Sequence, residues 1–208
     1  MTWVKFCGCT SWNDVELAIE AGADAIGMIF APSPRRIAWS QAQAIARRLP
    51  QDLDAVAVFV DPQPHEVDAV RALFPQAWLQ FSGNEEPGAL ARYGGARLKA
   101  IHVSGEDSEA ALEERAARYD GARPLFDAYV AGMAGGTGRT FAWERVAALA
   151  RRREIVVAGG LNPRNAGACV RAVRPFGVDV RGGVESDGAK DAAKMRAFVR
   201  AVRAADAP

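Results

Sequence analysis

The sequence is poor in the residues that build metal centres and disulfide frameworks: its 208 residues include three cysteines and two histidines. Cys7 and Cys9 are two apart rather than the three apart of a zinc knuckle, and no second ligand pair follows, so no metal is expected. An odd number of cysteines, in a chain long enough to bury a core without covalent staples, predicts free thiols. Net charge is also scarce. Lys and Arg number 26 against 25 Asp and Glu, which gives no field to attract nucleic acid or an acidic membrane surface. The basic runs Arg47-Arg48 and Arg151-Arg152-Arg153 fall where helices should end, and there cations complement the negative end of the helix dipole. No window holds eighteen consecutive apolar residues, and the start, Met1 to Gly8, lacks the charged and long apolar parts of a secretory signal. Neither a membrane nor a nucleic-acid partner is expected, and the cytosol is the expected location.

What is present is a hydrophobic half, 50% of residues, punctuated by 20 Gly and 11 Pro. Eight short runs rich in Val, Ile, Phe and Ala read as strands: Val4 to Cys7, Ala25 to Phe30, Ala55 to Val60, Ala77 to Phe81, Leu98 to Val103, Pro124 to Tyr129, Ile155 to Ala158 and Val178 to Arg181. Most are continuously apolar, as parallel strands buried on both faces should be. Segments of helical period lie between them. In the first, Thr10 or Ser11 can cap the start, Val15, Ala18 and Ile19 contribute to an apolar stripe, and Gly22 ends it. Eight strand–helix units of about 26 residues fit a closed (β/α)8 barrel, one α/β domain over residues 1–208, better than an open doubly wound sheet. Function is then expected at the C-terminal ends of the strands.

Those ends carry a short list of candidates. Cys7, at the end of strand one, is placed to act as base or nucleophile if Lys5 or bound substrate lowers its pKa; inert packing is the competing reading and the default for Cys9 and Cys169. After strand two, Pro32 and Pro34 stiffen a loop carrying Arg35 and Arg36, of which one is expected to grip a carboxylate or phosphate. Asp127 ends strand six ahead of a glycine-rich segment, Gly132 to Gly138, and is a candidate general acid or base beneath a lid. Gly159-Gly160 and Gly182-Gly183 follow strands seven and eight, where exposed backbone N–H groups bind phosphate in many barrels.

In order along the chain, Lys5 to Thr10, Gly22 to Gly27, Phe30 to Arg36, Val58 to Val60, Gly135 to Phe141, Ala158 to Pro163, Val178 to Val180 and Gly183 to Glu185 resemble the phosphoribosylanthranilate isomerase family. The resemblance implies a TIM barrel of tryptophan biosynthesis that performs an Amadori rearrangement. It implies Cys7 as general base and Asp127 as general acid. Arg36 would hold the anthranilate carboxylate, Gly160, Gly182 and Gly183 the phosphate, and Gln80 would join the substrate-binding set. No cofactor is implied, the partner is a small phosphorylated substrate, and the state is a monomer or a homodimer. Three positions depart from the family pattern. Gln-Leu-His-Gly is here Gln80-Phe81-Ser82-Gly83, Ser-Ser before Gly-Val-Glu is Arg181-Gly182, and the acid between Phe141 and Trp143 is Ala142. Arg181 either adds an anion contact or pairs with Glu185 or Asp179. Two alternatives to the isomerase stay open: a relative acting on another phosphorylated amino sugar, and a non-catalytic barrel that binds a phosphorylated ligand.

Overall fold

The computed structural model describes residues 1–128 and 142–207. Eight parallel strands, β1 (Trp3–Cys7), β2 (Ala25–Ile29), β3 (Asp54–Phe59), β4 (Trp78–Phe81), β5 (Arg97–Val103), β6 (Arg123–Ala128), β7 (Val156–Val157) and β8 (Gly177–Val180), close into a barrel in chain order. Helices α1 (Trp12–Ala21), α2 (Trp39–Ala46), α3 (Pro64–Leu73), α4 (Pro87–Ala91), α5 (Glu109–Ala117), α6 (Glu144–Ala150), α7 (Ala166–Val173) and α8 (Ala192–Asp206) each follow one strand. Strand bounds agree with the sequence reading to within one residue at each end; Tyr129 and the Gly132 to Gly138 segment lie outside the described residues. No helix among the described residues is long and apolar enough to cross a membrane.

In the first unit the caps hold as read, and of the expected apolar stripe Val15 and Ala18 are buried while Ile19 is exposed. Ser11 caps α1 by accepting from the Asp14 N–H at 3.2 Å, and Gly22, at φ 82°, closes it in a left-handed turn. The period-2 alternation along the strands then sorts side chains into two cores. Trp3, Cys7, Ala25, Ile29, Val56, Val58, Leu98, Ala100, Leu125, Val156 and Ala158 fill the barrel, whereas Phe6, Ile26, Met28, Phe59, Phe81 and Phe126 pack outward under the helices. At the N-terminal end, Trp3 stacks on Trp78 at 5.1 Å, Trp78 on Phe176 at 6.2 Å, and the Arg123 guanidinium lies 4.4 Å from the Phe176 ring centre. That aromatic floor seals one end of the barrel, so side chains can converge on a ligand only at the other end.

Two features were not expected from sequence. A 3-10 turn, Gly182–Val184, and a two-stranded hairpin, β9 (Glu185–Ser186) with β10 (Ala189–Lys190), intervene between β8 and α8. Outside the barrel wall, the buried Lys99 Nζ meets Glu85 Oε2 at 2.7 Å and donates to the Gly83 carbonyl at 2.6 Å. Glu85 in turn accepts from the backbone N–H groups of Asp61 and Gly83. One ion pair therefore fixes the loops after β3 and β4. Removing the cation strands a buried carboxylate, so Lys99→Met is expected to destabilise the fold by about 3–5 kcal/mol in urea denaturation. Adding Glu85→Gln should recover part of the loss; a change below about 1 kcal/mol for the single variant would refute the pair's role.

Candidate active site

Cys7 ends β1 with its side chain inside the barrel, level with Gly27 of β2. Gly27 is required there by close approach. A Cβ on it would stand 2.9 Å from Lys5 Cε and 3.0 Å from Cys7 Sγ. Lys5, two residues earlier on the same face, is fully buried, and its ammonium forms an ion pair with Asp179 Oδ1 of β8 at 2.9 Å. The two are direct partners across the β1–β8 seam. Burial acts to lower the Lys5 pKa, but Asp179 and Cys7 outweigh it, and the ammonium stays above its ordinary range. Of the two influences named for lowering the thiol, Lys5 and bound substrate, Lys5 does pull it down but does not prevail by itself. Burial pushes Cys7 up, and the opposing pull of Lys5 and Lys190 does not reverse it, partly because Asp179 adds repulsion. Cys9 points into the outer core and is pushed up to about 12 by burial, in line with inert packing. Cys169 is raised likewise, to about 12.

Asp127 stands near the end of β6, partly buried, with Gly159 of the next loop against it. A Cβ on Gly159 would stand 2.6 Å from Asp127 Oδ1. Burial raises the Asp127 pKa, the Asp179 carboxylate adds to that, and Arg181 and Lys5 oppose, leaving it at about 6. Asp127 and Cys7 thus stand on strands six and one, with Asp179 and Lys5 acting electrostatically on both. Arg181 belongs to the mouth: its stem lies 3.4 Å from where a Gly8 Cβ would be, and its charge acts on Asp127. Asp179 pairs with Lys5, and Glu185 with Arg35 and Lys190.

The loops after β7 and β8 abut. Gly159 and Gly160 both take positive φ, 82° and 64°, and Asn165 Nδ2 donates to the Gly160 carbonyl at 3.0 Å. A Cβ on Gly183 would stand 1.9 Å from the Leu161 carbonyl oxygen, so only glycine lets the two backbones meet. The hairpin behind them is pinned by Lys190, whose buried ammonium donates to the Cys7 carbonyl at 2.7 Å and to Glu185 Oε1 at 3.0 Å. Arg35 reaches the same Glu185 oxygen at 2.9 Å. Of the two loop arginines, Arg35 is therefore spent on structure and Arg36 stays exposed at the rim. Gln80 of β4 is buried inside the barrel, with Nε2 donating to Ser82 Oγ at 3.1 Å and Oε1 without a partner.

The fold brings Cys7, Asp127, Gly160, Gly182, Gly183 and Arg181 to the strand six, seven, eight and one side of the mouth, and Arg36 and Gln80 to the strand two to four side. Sequence reasoning did not find Asp179 or Lys190 as site components. A signal existed for Asp179, which is a charge at an inward position of an otherwise apolar strand, the same parity that places Lys5. Among the described residues no group of three His, Cys, Asp or Glu side chains is placed to hold a metal.

The model of the family described as N-(5'-phosphoribosyl)anthranilate (PRA) isomerase matches residues 4–201. A protein of Desulforudis audaxviator named N-(5'-phosphoribosyl)anthranilate isomerase is 45% identical over 206 residues, 99% of this chain and 100% of the relative. The crystal structure of phosphoribosyl anthranilate isomerase from Thermotoga maritima superposes with a TM-score of 0.87 at 32% identity, covering 98% of this chain and 100% of that one. A structure of the isomerase in complex with reduced 1-(o-carboxyphenylamino)-1-deoxyribulose 5-phosphate gives 0.84 at 31% identity, with 98% and 100% covered. The sequence motifs, the closed barrel and the matches over nearly the full length agree, and the chain belongs to the phosphoribosylanthranilate isomerase family.

Proposed function

We propose that this barrel converts N-(5'-phosphoribosyl)anthranilate to 1-(2-carboxyphenylamino)-1-deoxyribulose 5-phosphate in the cytosol, with Asp127 as general acid and Cys7 as general base. The observation that carries the assignment is a thiol and a carboxyl of raised pKa on separate strands of one mouth, with a buried cation beside the thiol. The Asp127 carboxyl gives its proton to the ribose ring oxygen, and the C1 to ring-oxygen bond breaks as the amine nitrogen lone pair forms a protonated Schiff base. The Cys7 thiolate then takes the proton from C2, leaving an enolamine that tautomerises to the ketone. Proton count balances over the cycle once Cys7 releases its proton and Asp127 regains one. Backbone N–H groups of Gly160, Gly182 and Gly183 take the phosphate at the abutting loops. Arg36 takes the carboxylate from the rim, and Arg181 adds a cation beside the acid.

Incubation of the purified protein with phosphoribosylanthranilate should abolish the substrate's fluorescence with many turnovers per enzyme; absence of turnover would refute the activity. Cys7→Ser and Asp127→Asn are each expected to lower kcat by about 10²–10⁴-fold, with affinity for a reduced product analogue changed less than about threefold. Near-normal turnover in either variant would refute that residue's role.

The two pKa directions also predict an unusual pH profile. The active form needs Asp127 protonated and Cys7 ionised, the reverse of the order in which they titrate. Above pH about 6 the protonated fraction of Asp127 falls tenfold per unit while the thiolate fraction rises tenfold, and the two cancel. So kcat/KM should be flat from pH about 6 up to the raised titration of the thiol and fall below 6 as the thiolate is lost. Lys5→Met removes a cation that lowers both groups, and should move both edges of the plateau to higher pH. A narrow bell-shaped profile would contradict the assignment.

A further inference from the structure

One wall of the mouth takes no part in the mechanism above. On β5 the inward positions are Leu98, Ala100 and His102, and the first two belong to the barrel's inner core. Phe81 pairs with Lys99, so β4 stops level with the lower half of β5, and His102 projects above the end of its neighbour. Every other residue of β5 is buried or partly buried, and His102 alone is exposed, at the open end. Its imidazole hydrogen-bonds to the backbone of Ser82, which holds the ring over the end of β4. The Ser82 hydroxyl meanwhile accepts from the Gln80 amide at 3.1 Å.

Gln80 supplies the independent sign of a ligand. Its side chain is 95% buried, yet one end of the amide has no partner. Whichever end faces Ser82, the other is a buried polar atom left open inside the mouth, an arrangement that costs stability unless a ligand completes it. In the closed ring of eight strands, β4 lies directly opposite β8, whose loop takes the phosphate in the reading proposed above. A substrate anchored there by its phosphate and lying across the mouth directs its other end, the aryl amine, towards β4 and β5.

We propose that Gln80, Ser82 and His102 form the recognition wall for the aryl-amine half of the substrate. Gln80 hydrogen-bonds the bridging amine, and the His102 ring, fixed by Ser82, packs against the aromatic ring. His102 is a specificity residue and touches no reacting atom. Partial loss of hydration at the mouth, with Lys99 and Arg115 adding to it and the Ser82 bond opposing, lowers the His102 pKa and so favours an uncharged ring against the aromatic surface. The neighbourhood explains how the mouth can carry Ser82 where the family pattern has His: an imidazole still reaches this corner, from the next strand.

The inference rests on the proposed substrate, but its test reads binding and not turnover, so an error in the Cys7 or Asp127 assignment would leave it standing. Calorimetric titration compares two probes, the reduced carboxyphenylamino product and ribulose 5-phosphate, which lacks the aryl group. His102→Ala should weaken the first about tenfold and the second less than about twofold. His102→Phe keeps a flat ring at the same place and should recover binding of the aryl probe to within about threefold of the parent chain. Equal weakening of both probes by His102→Ala, no weakening of either, or a Phe variant as weak as the Ala variant would overturn the proposal.

Discussion

The architecture turns on one buried ion pair. Lys5 and Asp179 sit inside the barrel wall at the seam where the last strand meets the first, with the ammonium fully buried. Two charges in that setting lose hydration worth several kcal/mol each, and their attraction offsets the loss only while both remain. Neither can therefore change alone. Neutralising Lys5 would leave Asp179 uncompensated beside Asp127, whose proton it already helps to retain, and neutralising Asp179 would leave an isolated cation under Cys7. The pair is neutral as a unit, so a thiol and a carboxyl can stand near it in their uncharged forms at little further cost. The small residues nearby serve the same pair: Gly27 lacks a Cβ because Lys5 and Cys7 occupy its space.

Around this centre the mouth is assembled by cations that bond to backbone as well as to acids. Lys190 joins the Cys7 carbonyl, the Arg181 carbonyl and Glu185, and so ties the hairpin after β8 to the end of β1. Lys99 does the equivalent for the loops after β3 and β4 through Glu85 and Gly83. Both ammonium groups are buried and multiply bonded, which is what separates them from the exposed pair Arg48–Glu16 at 3.5 Å, worth at most a few tenths of a kcal/mol. Loops held this way present glycine N–H groups and side chains at fixed positions, which lowers the ordering cost of binding a small anion.

How far the sequence could be read follows from the range of the interactions involved. Strands are set by local pattern, and their bounds agree to within a residue because Val, Ile and Phe runs act over a few positions, while Ser11 and Gly22 bound the first helix in the same way. The rule placing function at strand ends then singled out Cys7, Asp127 and the paired glycines. What could not be read is what depends on the closed ring. Lys5 and Asp179 are 174 residues apart, and only closure of the barrel makes them neighbours. The same holds for His102 and Ser82, where the ring of one strand leans over the end of another. The net direction of the Cys7 shift is out of reach of local pattern for a related reason: a nearby Lys favours a lowered thiol, but depth of burial, which no local pattern reveals, outweighs it.

Closure also reconciles an anion-binding site with a chain of net charge +1. At the mouth, Arg35 and Lys190 share Glu185, leaving one positive charge, and the exposed Arg36 adds another. Lys5 and Asp179 cancel, and Asp127 contributes between zero and one negative charge near its pKa of about 6. These groups therefore give the rim a local excess of one to two positive charges in a chain of net charge +1. Beyond a Debye length of about 8 Å in physiological salt the field of such a cluster is screened, so it favours a small anion already at the opening and offers little to an extended polyanion. In the proposed reading, preference for a compact phosphorylated acid over an extended polyanion rests on how few charges are gathered, and how tightly, without any bias in overall composition.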